Sequence, residues 1–149
     1  IKKEINIPQD LQFNLGIRTE ITINMLKYKM KKADLIICYY TIQFTPTATR
    51  QDLINKLYNN LNWGGALVLF EKVRGPDARF QDIASNLYID YKLRLNYTPD
   101  DIISKSLSLK GILEPFSTKG NIDLLKRAGF KDINTIQKYI CFEGLLAIK

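Results

Sequence analysis

The apolar run ADLIIC (Ala33 to Cys38) is followed at once by the polar, ring-rich stretch Tyr39, Tyr40, Thr41 and Gln43. Open α/β sheets hold their ligands against the carboxyl ends of buried strands, so these hydroxyls, rings and the amide are candidate ligand contacts. Tyr39 and Tyr40 could equally be packing aromatics, and strand alternation lets only one of them point toward a ligand edge. Gln43 could orient a substrate or cap the next loop. A second apolar run, ALVLFEK, ends on Glu71 and Lys72, a pair suited to the same crevice or to a plain surface ion pair. Arg74, Asp77 and Arg79 flank Gly75-Pro76, where they could take an acidic substrate or keep a hinge solvated.

What is missing narrows the chemistry. The chain has no histidine, so neither a Ser-His or Cys-His nucleophile pair nor a histidine-based metal site can be assembled. Any proton transfer falls to Asp, Glu, Lys, Tyr, Cys or water. The two cysteines, Cys38 and Cys141, sit in separate apolar runs without disulfide or zinc spacing, as expected of buried thiols in a reducing cytoplasm. No metal site is expected, and no catalytic residue can be named from spacing.

The elements that would position these groups can be read along the chain. Its 149 residues fit one domain, and 46% hydrophobic with 25% charged residues is a globular, soluble composition. The apolar runs are far shorter than a membrane span, and the opening IKKEINIPQD has no signal-peptide pattern. A net charge of +7 permits weak attraction to nucleic acid or acidic partners. The dense basic run KYKMKK (Lys27 to Lys32), however, reads first as a solvated loop.

LQFNL (Leu11 to Leu15) alternates as a short strand and runs into Gly16. After a basic loop, Ala33 to Tyr40 reads as a central parallel strand. TRQDLINKLYNNL reads as a helix, with Thr47 or Thr49 as N-cap. Asn62-Trp63-Gly64-Gly65 closes it, and a strand begins at Ala66. Together these make a right-handed βαβ unit. Residues 77 to 96 form a helix with Phe80, Ile83, Ala84, Leu87, Tyr91 and Leu95 as its apolar stripe. TPDD at Thr98 opens another helix, which fades near SLKG. A helix over Ile122 to Ala128 ends at Gly129. Lys131 to Gln137 and Tyr139 to Ile148 complete an antiparallel hairpin turned at Lys138, with Gly144 as a bulge position. The fold class expected is α/β, a mostly parallel Rossmann-like sheet ending in an antiparallel hairpin. A single partial domain is expected, with sheet and crossover over 11–72, a helical lid over 73–117, and the last helix and hairpin over 118–149.

The segment from Thr41 to Lys72 carries T-I-Q-F, then Arg50-Gln51, then L-x-x-G-G-A-L-V-L, then Glu71-Lys72. In that order and register it resembles the carboxy-S-adenosyl-L-methionine synthases, a family of class I methyltransferase fold that serves tRNA wobble-uridine modification. The tail KRAGFKDINTIQKYICFEGLLAIK resembles that family's closing hairpin. The resemblance covers residues 11 to 149. It implies an S-adenosylmethionine or carboxy-S-adenosylmethionine ligand across the sheet's carboxyl edge, a lid of inserted helices, a small-molecule substrate and a homodimer in the cytoplasm.

By that resemblance, Gly16, Ile17, Arg18, Tyr39 and Tyr40 fall at cofactor positions, and Gln43, Glu71, Lys72, Arg74, Lys105 and Ser106 at substrate positions. The chain departs from the family at three of these places. The family's adenine-binding Asp is replaced by the Gly16-Ile17-Arg18 stretch, its Asn before T-I-Q-F by Tyr39, and its carboxylate-pairing Arg by Ser106. A serine lacks the bidentate fork an arginine offers a carboxylate. Nor does any E/D-x-G-x-G loop for the methionine end of the cofactor occur in the sequence. The abrupt, Met-less start favours loss of an amino-terminal half over a shortened relative. The function expected is S-adenosylmethionine-dependent methyl transfer, with the synthase reaction and a catalytically silent assembly subunit as the two rivals. The acceptor, small metabolite or nucleic acid, is left open.

Overall fold

The computed structural model describes residues 24–149. The expected strand at Leu11 to Leu15 and the candidate residues Gly16, Ile17 and Arg18 lie outside them. Residues 24–27 are helical, and the basic segment beyond Lys27, Tyr28 to Lys32, is the largely exposed loop its charge suggests. Lys56 Nζ gathers the carbonyls of Met25, Leu26 and Tyr28 at the end of that turn.

Four strands form one sheet in the order β1-β2-β4-β3. β1 (Ala33–Tyr39) lies parallel to β2 (Leu61–Lys72), joined through helix α1 (Arg50–Asn60). β4 (Phe142–Ile148) runs antiparallel to both β2 and β3 (Asp132–Tyr139). The terminal hairpin is as expected; among the described residues the pairing of β1 with β2 is parallel and the two that involve β4 are antiparallel, so this part of the sheet is mixed where a mostly parallel one was expected. Leu67, Leu69, Leu145 and Ala147 point to one face and pack there on Leu53, Ile54 and Leu57 of α1 and on Leu124 and Leu125 of α4 (Thr118–Ala128). Period-2 burial on strands that meets period-3.6 burial on helices is what makes this face the core.

Several boundaries move for physical reasons. β2 begins at Leu61, not Ala66: the C-cap Leu61 is already extended and fully buried, and residues 62–65 bulge out between its pairing with Ala33 and that of Ala66 with Leu35. Gly64 takes a φ of 72° in that bulge and donates its N–H to Lys149 O. α4 starts at Thr118 because the Ser117 hydroxyl accepts the Gly120 N–H, and it stops at Gly129 in the left-handed region, as expected. The hairpin turns through Ile140 and Cys141 between paired Tyr139 and Phe142, so Lys138 belongs to the strand. The bulge falls at Ile136, opposite Gly144, instead of at Gly144 itself.

Two further helices, α2 (Ala78–Arg94) and α3 (Pro99–Ser108), make an arm. Asp77 caps α2, and Thr98 with Asp101 forms a full capping box on α3. Only part of the anticipated stripe on α2 packs: Phe80, Ile83, Leu87 and Leu95 are exposed, whereas Ala84 and Tyr91 are half-buried. α2 meets the sheet through Tyr91 of that stripe, 5.5 Å from Tyr139, and through Tyr88 beside it, whose ring stands 5.2 Å from that of Phe142.

Gly144 shows how closely the sheet is packed. A Cβ there would come 2.7 Å from Phe70 Cε1 and 3.3 Å from Ile136 Cγ1. Gly144→Ala is therefore expected to destabilise the chain by about 1–3 kcal/mol in urea unfolding, with partial recovery on adding Phe70→Leu. An unchanged midpoint would contradict this packing.

Candidate functional site

The carboxyl ends of β1 and β2 lie side by side, Tyr39 paired with Phe70, and the chain leaves β1 through a sharp reversal. Tyr40 sits at φ 52°, a left-handed conformation uncommon for an aromatic residue, and its N–H donates to Phe70 O at 2.8 Å. A single 3₁₀ turn, Ile42–Phe44, follows. Backbone strain of this kind persists only where surrounding contacts over-determine it.

Those contacts come from Glu71. Its carboxylate, 3% exposed, accepts the N–H of Ile42 at 2.8 Å and that of Gln43 at 2.7 Å, one on each oxygen. The Gln43 side chain answers by accepting the Lys72 N–H at 2.7 Å. Arg50, 1% exposed, donates from Nε to Thr45 O and from Nη2 to Gln43 O, with its guanidinium 4.4 Å over the Phe116 ring. T-I-Q-F, Arg50 and Glu71 are thus one interlocked unit that fixes the path of the chain beyond β1. Both Glu71 carboxylate oxygens and the Gln43 amide oxygen are engaged by backbone N–H groups inside the protein. Burial pushes the Glu71 carboxyl up to about 7, against the opposing pull of the Ile42 and Gln43 N–H groups and of Arg50.

Other side chains lie toward the open side. Tyr39 is 66% exposed, with its ring 4.5 Å from Tyr40 and 5.5 Å from Phe70. Tyr40 in turn stands 5.6 Å from Phe142. Lys72 does not pair with Glu71, because neighbouring strand residues face opposite sides; its Nζ lies 4.8 Å over Tyr88. Tyr88 and Lys92 of α2 are members of this group that sequence reasoning missed. The stripe at helical spacing included their neighbour Tyr91 but passed over these two, although Tyr88 and Lys92 stand four apart on one side.

The remaining candidates scatter. Arg74 is exposed, and its N–H donates to Phe116 O. Lys105 and Ser106 are exposed on α3. Both thiols are buried; burial, then Glu71, pushes Cys38 up to about 12, which keeps it an inert thiol. No cluster able to hold a metal occurs among the described residues. A concavity of about 320 Å³ lined by Lys131, Asp132, Asn134 and Leu146 opens at the start of β3, the opposite end of the sheet from this chemistry.

Comparison with known proteins accounts for the arrangement. Over 129 residues the chain is 37% identical to the carboxy-S-adenosyl-L-methionine synthase of Staphylococcus epidermidis, covering 87% of this chain and 57% of that protein. Against the synthase of Campylobacter jejuni it is 36% identical over 126 residues, 85% of this chain and 54% of that one. The chain is similar in sequence to the carboxy-S-adenosyl-L-methionine synthases. It spans a little over half the length of these curated relatives. No protein-family model matches it. In three dimensions it superposes on human N-acetylserotonin methyltransferase in complex with S-adenosylmethionine with a TM-score of 0.57 and 20% identity, over 84% of this chain and 32% of that one. The pyocyanin biosynthetic protein PhzM gives 0.56 and 15%, over 84% and 33%. The fold is therefore that of the carboxyl-terminal part of a Rossmann-like class I methyltransferase.

The pKa of Glu71 gives a stability signature. Its folded carboxyl keeps a proton that the unfolded chain releases near 4.5, so the group's contribution to stability falls as pH rises from about 4.5 through about 7 and is level above. Glu71→Gln is expected to remove that slope in urea unfolding measured across this range. Glu71→Ala, which strands two buried N–H donors, is expected to cost about 2–3 kcal/mol.

Proposed function

We propose that this chain supplies the acceptor-side wall of an S-adenosylmethionine-dependent transferase site, at the carboxyl ends of β1 and β2. The observation that carries the reading is the strained Tyr39-Tyr40 corner, held by the buried Glu71–Gln43–Arg50 unit where a class I methyltransferase sheet presents its crevice. Sequence likeness to the synthases and structural likeness to methyltransferases support it from independent directions.

One feature of the residues present supports a sulfonium ligand. Tyr39 exposes an aromatic face at the strand end, and such faces attract organic cations. When bound, S-adenosylmethionine supplies an already activated alkyl group. What is asked of the protein is alignment and exclusion of water more than acid–base work, so a site without histidine is adequate. Tyr39 would line the cofactor side, its ring resting against those of Tyr40 and Phe70. Burial first, and then Tyr39, pushes the Tyr40 phenol above its ordinary value. It stays protonated at neutral pH and serves as a hydrogen-bonding group, with no role as a base. Gly16, Ile17 and Arg18 are proposed for the adenosyl side, and the α2–α3 arm, with Arg74, Lys105 and Ser106, for the lid. A cytoplasmic homodimer acting on a small molecule is the setting we propose; among the described residues no helix is long and apolar enough to cross a membrane.

The second reading, synthesis of carboxy-S-adenosylmethionine, is favoured by the identity to the synthases. It is opposed by Ser106 at the position where the resemblance calls for a carboxylate-pairing arginine. Incubating the full-length protein with S-adenosylmethionine and prephenate, with mass spectrometry of the sulfonium product, decides between the two.

For the main reading, calorimetry on the full-length protein is expected to show S-adenosylmethionine binding that Tyr39→Ala weakens about fivefold, the worth of one cation–π contact. Absence of binding at millimolar ligand would overturn the proposal and leave a silent assembly subunit as the better description.

A further inference from the structure

Lys72 is the last residue of β2 and Lys92 lies in the last turn of α2, yet both ammonium groups converge on one ring. Their Nζ atoms lie 4.8 and 4.5 Å from the centroid of Tyr88. All three side chains are half-buried. Neither amine has a carboxylate within ion-pair reach among the described residues, where the ion pairs are Lys119 with Asp123 and Lys138 with Glu143. Two like charges that reach one ring repel, and burial, then Lys72, lowers the Lys92 pKa. The ring they share offsets part of that repulsion, and an anion would offset the rest.

The surroundings say what kind of anion. Phe142 stands edge-on to Tyr88 at 5.2 Å, and Tyr39 and Tyr139 present exposed rings on either side, at the mouth formed by the strand ends. Aromatic walls around a cation pair favour a planar π-system that carries its charge at one end. We infer that Lys72, Lys92 and Tyr88 form a binding site for the carboxylate of a planar aromatic acid, whose ring lies among the flanking tyrosines. Its place as the acceptor's site rests on the transferase reading above, whereas the binding itself does not. Lysine ammoniums act as point charges, so this device differs from an arginine fork and does not depend on Ser106.

The test is calorimetric titration of the full-length protein with benzoate, benzyl alcohol and inorganic phosphate, and separately with S-adenosylmethionine. Benzoate is expected to bind at least about tenfold more tightly than either benzyl alcohol or phosphate. Lys72→Gln and Lys92→Gln should each weaken benzoate about fivefold, as loss of one charge-assisted contact predicts. Folding of each variant is checked by circular dichroism. In the unmutated protein with ¹³C-dimethylated lysines, benzoate should raise the Lys92 pKa, a readout independent of any substitution. Equal binding of benzoate and benzyl alcohol, phosphate binding as tight as benzoate, or no benzoate binding at all would overturn the inference. S-adenosylmethionine binding without benzoate binding removes only this inference. Benzoate binding without S-adenosylmethionine binding removes only the transferase reading.

Discussion

The carboxylate of Glu71, reaching back to two backbone N–H groups at the end of the neighbouring strand, is the contact on which this end of the molecule rests. Ile42 and Gln43 are buried, so their N–H groups need a partner inside the protein, and the 3₁₀ turn offers none of its own at that point. With Glu71 in place, the chain can leave β1 through a left-handed tyrosine, turn, and start α1 at the buried Arg50. Arg50 then closes the loop by binding the carbonyls of Gln43 and Thr45. A charged residue at each end of a short segment, both almost wholly buried, fixes one path where an apolar pair would allow several.

That arrangement separates support from contact. The face of β2 carrying Leu67, Leu69 and Glu71 packs inward, while its other face carries Phe70 and Lys72 toward the tyrosines. The pleat therefore assigns adjacent residues opposite sides: Glu71 holds the turn after β1 and Lys72 faces Tyr88. The arm formed by α2 and α3 adds Tyr88 and Lys92 from a distant part of the chain. Among the described residues β1 has a strand neighbour on one side only, so the tyrosine corner stands open there.

Much of the fold was legible in the residues. Ala33 to Tyr39 and Ala66 to Lys72 were apolar enough to be adjacent strands, and Gly129 marked the end of α4 through a φ only glycine takes easily. The boundaries that moved did so where local chemistry competes. Leu61 is a good helix former, pulled into the sheet by complete burial; the hairpin turn passed from Lys138 to Ile140 and Cys141 because the bulge at Ile136 shifts the register. The stripe on α2 was read correctly as helical but only in part as the packing face: Tyr91 meets the sheet while Phe80, Ile83, Leu87 and Leu95 stay exposed, since periodicity reports a face without saying what lies against it.

For the site, the sequence by itself determined which residues stand at the ends of the two parallel strands, because a buried strand must end where its apolar run ends. It also determined, through T-I-Q-F, Arg50 and Glu71-Lys72 in register, which kind of protein this chain resembles. Tertiary structure alone decided what those residues do. It turned Gln43 and Glu71 inward as a brace, left Tyr39 outward, and drew Lys72 and Lys92 onto Tyr88. The physical reason is that hydrogen-bond partners and neighbouring charges here lie about twenty or more positions apart. Spacing along a chain does not reveal which of its distant groups will share one desolvated place.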